Sequence, residues 1–138
     1  MDGGATSSPA ILTEFSAITL DVNDLALEAE FWGAMLGEHP GPVRSGGGWQ
    51  SVGNLCSGTF LVLQLVPEKK TVKDRLHMDF WVGDVGAAAA RIVELGGSKV
   101  SGPRPGGGDT MADPEGNEFC IGAFHRDKLG VRTMSRPT

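Results

Sequence analysis

The chain has 138 residues, a formal net charge of −5, 40% hydrophobic and 21% charged residues, and 21 glycines. That length buries a core without the help of a disulfide or a metal, and the acidic balance, with no local Lys/Arg cluster to reverse it, opposes capture by nucleic acid or anionic lipid. No apolar run reaches membrane-spanning length, Cys56 and Cys120 form no CxxC pair, and Met1 to Pro9 lacks the basic and apolar parts of a leader, so no membrane, no nucleic acid and a cytoplasmic location are expected.

Residues 1–12 read as an N-terminal tail, rich in small and polar residues without a sustained period. From Glu14 to Val22 the chain alternates, with Ile18, Leu20 and Val22 on one face and Ala17, Thr19 and Asp21 on the other, as a strand requires. Asn23-Asp24 then offers a helix N-cap before Leu25, Ala29, Trp32, Met35 and Leu36 at helical spacing, and Gly37 closes the helix. Short strands are expected near Val43, at Trp49 to Val52 and at Thr59 to Val66, punctuated by Pro40, Pro42 and Gly46-Gly47-Gly48. The order is β, α, then three β.

After a charged connection through Lys69, Lys70, Lys73, Asp74 and Arg75, expected to be solvated, the same order recurs. Leu76 to Val82 reads as a strand, Asp84 as an N-cap, Val85 to Leu95 as a helix stopped by Gly96-Gly97. Strands follow near Lys99-Val100, at Thr110 to Ala112 and at Asn117 to Ala123, with Pro103 to Gly108 as a mobile loop at a cavity mouth and Asp113-Pro114-Glu115-Gly116 as a tight turn. Superposing Asp24 on Asp84 sets Ala17 opposite His77, Thr19 opposite Asp79 and Asp21 opposite Trp81. One such repeat cannot cover its own sheet, so the expected fold is α+β: two tandem βαβββ modules, residues 13–68 and 74–125 of one domain, whose curved mixed sheets enclose a cavity, with residues 126–138 as a C-terminal tail.

The ordered set Phe31-Trp32-Gly33-Ala34-Met35-Leu36-Gly37, His77-Met78-Asp79, Leu95-Gly96-Gly97 and Asp113-Pro114-Glu115-Gly116-Asn117 resembles the vicinal oxygen chelate superfamily, in its glyoxalase-like, bleomycin-resistance-like branch. The resemblance covers about residues 13 to 124 and implies a homodimer and a divalent metal held by two residues of each module. Matched by motif, those positions are Ala17, Gln64, His77 and Cys120. Ala17 ligates nothing, Gln64 offers a neutral oxygen, and Cys120 is a soft donor, so no cofactor is expected; the alternative metal set is His77, Gln64 and Cys120, with Asp21 or Glu118 substituting after a one-residue register slip.

Strand alternation sets His77, Asp79 and Trp81 on one face. His77 with Asp79 is the candidate acid/base pair if the protein is an enzyme, and Gln64, Trp49, Trp81, Asp21 and Cys120 are the candidate ligand contacts. Trp32 and Phe31 are expected in the core, and His39, His125 and Arg126 on the surface. Two functions follow: a protein that binds or sequesters a small, aromatic metabolite or antibiotic over a degenerate metal site, or a lyase or isomerase of the same superfamily, metal-assisted or using His77.

Overall fold

A computed structural model describes residues 11–105 and 107–123. The expected C-terminal tail, with His125 and Arg126, and all of the N-terminal tail except Ile11 and Leu12 lie outside the described residues. The described residues contain β1 (Ala17–Val22), α1 (Leu25–Leu36), β2 (Val43–Arg44), β3 (Trp49–Cys56), β4 (Thr59–Leu65), β5 (Met78–Val82), α2 (Val85–Glu94), β6 (Ser98–Ser101), β7 (Asp109–Ala112) and β8 (Glu118–Ala123). The element order is the one the repeat predicts, and the class is α+β.

Each module folds its four strands into one mixed sheet, in the order β1-β4-β3-β2 and β5-β8-β7-β6, and the sheets do not close into a barrel. In each, the first and last strands run parallel while the remaining pairs are antiparallel. The two helices begin alike, because Asp24 Oδ1 accepts from Leu27 N at 3.0 Å and Asp84 Oδ1 from Ala87 N at 2.9 Å, relieving orphan amides of the first turn. Gly37 ends α1 in the left-handed conformation, at φ 70°.

Alternation along the strands sends Val22, Leu61, Leu63 and Val52 of the first sheet and Met111, Phe119 and Ile121 of the second into a shared core. Helix α1 ties the modules together. Its Phe31 and Trp32, both 1% exposed, join Phe80 and Phe119 of the second sheet in an aromatic cluster with centroid separations of 5.0 to 6.3 Å. Such pairs contribute about 0.5–1.5 kcal/mol each beyond the area they bury. Trp32 Nε1 also donates to Asp113 Oδ2, and Asn23 N to Glu115 Oε1 at 2.8 Å, so the Asp113–Gly116 turn is an inter-module joint as well as a turn.

Two expectations need correction. Leu76 and His77 do not belong to the strand, which starts at Met78, because the chain before it turns so that the His77 ring bonds back to Asp74 O at 2.9 Å. The charged connection is not wholly solvated either: Asp74 N donates to Glu118 Oε1 at 3.0 Å, Glu118 N to Asp74 Oδ2 at 2.9 Å, and Lys70 Nζ stands 3.6 Å from Glu118. A double backbone-to-carboxylate exchange fixes the linker to β8 in a way that composition does not reveal.

Candidate functional site

The site lies on the sheet faces turned away from the helices, and strand register defines it. In the first module Asp21 pairs with Gln64 and Gln64 with Trp49, a row of three side chains on one face. Counting from the two N-caps, the second module has Trp81 where the first has Asp21, and Trp81 pairs with Gly122. The next position toward β7 is Gly108, since Asp109 already pairs with Ile121. Two large side chains of the first module therefore correspond to two glycines in the second.

The result is a pocket of about 600 Å³ lined by Asp79, Phe80, Trp81, Arg104, Cys120, Ile121 and Gly122. Its aromatic wall is Trp81, whose ring carbon Cζ3 lies 3.4 Å from where a Cβ of Gly122 would be. The opposite corner is polar: Arg104 Nη1 donates to Thr110 Oγ1 at 3.1 Å, and Thr110 Oγ1 lies 3.5 Å from Cys120 Sγ. Arg104 reaches this place because the loop is pinned by Arg104 N to Gly108 O at 2.9 Å and Gly107 N to Arg104 O at 2.7 Å.

Of the residues singled out in the sequence, Asp79, Trp81 and Cys120 line this pocket together. Asp21 lies in a second, smaller groove with Thr19, Leu76 and Glu118. His77 lines a third, open groove between the modules with Phe15, Leu55, Cys56, Thr59 and Asp79. Asp79 thus borders both the His77 groove and the second-module pocket. Gln64 and Trp49 stay in their row on the first sheet, Trp49 being 38% exposed. Sequence reasoning missed Arg104, Thr110, Gly108 and Gly122; the cap superposition sets Gln64 against position 124, and only the strand register sets it against Gly122.

The donors that a divalent ion would use are not assembled. The same register makes Val62, not Gln64, the first-module counterpart of Cys120, because Val62 pairs with Thr19 as Cys120 pairs with Asp79. The four symmetric positions therefore read Ala17, Val62, His77 and Cys120, two of them without a donor atom. Among the described residues no three of His, Cys, Asp and Glu stand close enough to hold a metal ion. Glu118 is engaged with the linker, and the backbone N–H of Asp74, ahead of Lys70, holds its carboxyl below the usual range. This donor set does not fit a hard divalent ion.

The most deeply buried ionisable group is elsewhere. Glu28, on α1, is 0% exposed, and neither carboxyl oxygen has a hydrogen-bond partner among the described residues. Burial first, then the neighbouring Asp113 carboxylate and Glu115, pushes its pKa up to about 10. It is a protonated acid at the joint between the modules.

The model of the glyoxalase-like domain family matches residues 17–122. This chain belongs to that family. It is a glyoxalase-like protein of the vicinal oxygen chelate superfamily, and solved structures agree with the fold. A variant of the genomically encoded fosfomycin resistance protein FosX from Listeria monocytogenes, complexed with Mn(II) and 1S,2S-dihydroxypropylphosphonic acid, is 20% identical with a TM-score of 0.67, covering 87% of this chain and 98% of that one. A glyoxalase/bleomycin resistance protein/dioxygenase family enzyme from Burkholderia phytofirmans PsJN is 15% identical with a TM-score of 0.66, over 80% of this chain and 98% of its own. The oxidase ChaP-H2 is 21% identical with a TM-score of 0.62, over 88% and 98%. No curated protein sequence is significantly similar to this glyoxalase-like chain. Among its described residues no helix is long and apolar enough to cross a membrane.

Proposed function

We propose that this glyoxalase-like protein binds or sequesters a small planar metabolite or antibiotic in the pocket of its second module, without a resident metal. The observation that carries the reading is the exchange of the Asp21, Gln64 and Trp49 row for Trp81, Gly122 and Gly108, which opens about 600 Å³ beside an aromatic wall. That volume lies within the roughly 300–1,000 Å³ of small-molecule sites, and an indole face with a few polar groups suits a conjugated ligand. The Val62 and Ala17 positions support a metal-free site. The test is a library of planar metabolites screened by thermal shift and calorimetry against chelator-treated native protein and against Gly122→Gln, which copies Gln64 of the first module. Ligands should bind the native protein and lose about tenfold or more with the variant; ligands that bind both equally overturn the assignment of the pocket.

A second reading, acid/base chemistry of the lyase or isomerase kind, is favoured by the shared groove of His77 and Asp79. The carbonyl of Asp74 only accepts, so its bond to Nε2 sets the proton of neutral His77 on Nε2 and leaves Nδ1 as the basic atom. Turnover that survives His77→Ala excludes this role. We also propose a homodimer in which a second copy covers the helix-free face of the first sheet, where Trp49 and Phe60 are 38% and 42% exposed. Phe60→Lys should then give monomers in sedimentation, whereas native protein that sediments as a monomer contradicts the dimer.

A further inference from the structure

Arg104 lies in the loop between β6 and β7. Its guanidinium occupies space that exists only because residue 108 is a glycine: a Cβ there would stand 2.6 Å from Arg104 Nη2 and 2.7 Å from Ile121 O. In the first module the same position holds Trp49. The second module has therefore exchanged an indole for a cation, brought in from a loop and steered by Thr110.

Among the described residues the cation is not neutralised locally. Among the described residues no carboxylate lies within ion-pair distance of Arg104, and its only side-chain bond is the one to Thr110, which uses one of five donors. A half-buried guanidinium with donors to spare, facing a pocket whose other wall is Trp81, matches a planar acid: the fork receives a carboxylate by parallel N–H bonds, and the conjugated body lies along the indole. Asp79 sets the other end. Its carboxylate borders the same pocket and repels a second anionic group, but accepts from a hydroxyl.

We propose that Arg104 is the specificity-determining residue of the second-module pocket, and that the pocket selects planar hydroxy acids carrying a single carboxylate, with the carboxylate on Arg104 and the hydroxyl toward Asp79. The inference rests on the binding reading above and narrows it to a ligand class. The cation is part of the floor that the Gly108 position makes room for, so the selection is built into the backbone just before β7 as much as into the side chain.

The probe is 6-hydroxy-2-naphthoate, and its methyl ester serves as the uncharged control, both titrated calorimetrically into native protein and into Arg104→Gln and Arg104→Lys. Native protein should bind the acid about tenfold or more tighter than the ester. Arg104→Gln, which keeps a donor for Thr110, should weaken acid binding far more than ester binding and so remove that preference, and Arg104→Lys should restore part of it. Equal binding of acid and ester by native protein overturns the role of Arg104 while the pocket reading stands. Binding of neither overturns both. The comparison of acid with ester uses native protein alone, so it holds whether or not the variants fold.

Discussion

Trp32 Nε1 donates to Asp113 Oδ2 at 3.1 Å, joining α1 of the first module to the turn between β7 and β8 of the second across 81 positions of sequence. Asp113 is 2% exposed and also receives Glu115 N, Asn117 N and Asn117 Nδ2. One carboxylate therefore closes a turn and fastens a helix.

Trp32→Phe keeps an aromatic ring in the cluster but removes the indole N–H together with part of the buried ring system, leaving a cavity. Leaving a buried carboxylate oxygen one donor short costs about 1–3 kcal/mol and the cavity adds to it, so chemical denaturation should show a loss of at least that size with an unchanged denaturant slope. Unaltered stability would show that the bond contributes nothing to the joint.

Glu28 makes stability depend on pH in a known direction. Its carboxyl titrates near 4.5 when unfolded and near 10 in the fold, so the folded chain retains a proton that the unfolded chain gives up. The stabilisation is complete below the unfolded value and is lost progressively as the pH rises toward the folded one. Glu28→Gln, neutral and of the same shape, should match native protein in acid and exceed it in melting temperature by a margin that widens through neutral to alkaline pH. A variant less stable than native at neutral pH would mean that Glu28 is a charged partner instead.

Metal removal should be silent. With Ala17 and Val62 in two of the four symmetric positions, chelator treatment should leave the unfolding midpoint where it was, and Mn(II) should not raise it. An ion held at about 100 times its dissociation constant would stabilise the fold by about 2.7 kcal/mol, a shift that thermal denaturation detects readily. Such a shift would refute the reading of the donor set.

The fold was legible because local signals repeat: Asp24 and Asp84 cap, Gly37 and Gly96 follow the helices, and Val22 and Val82 end strands with the same alternation. The strand of His77 was misjudged since a ring-to-carbonyl bond, not side-chain periodicity, decides where pairing starts. Asp79 and Trp81 could be grouped by alternation alone, and Cys120 joined them only through the family resemblance. Arg104 could not, because its position depends on a loop conformation set by Gly108, and the opening of the pocket depends on cross-strand register, which no single strand encodes. Glu28 was passed over for a related reason: the helix pattern marks its face as interior, but only the packing of the second module shows that Asp113 lies beside it.

The central claim, that ligand enters the second-module pocket, is tested most directly by the three indole N–H signals of the protein in a titration with 6-hydroxy-2-naphthoate, assigned through Trp49→Phe and Trp81→Phe. Ligand in that pocket should give a saturable shift of the Trp81 signal, with those of buried Trp32 and of Trp49 unmoved. A saturable shift of Trp49 with Trp81 unchanged would contradict it and move the site to the first sheet.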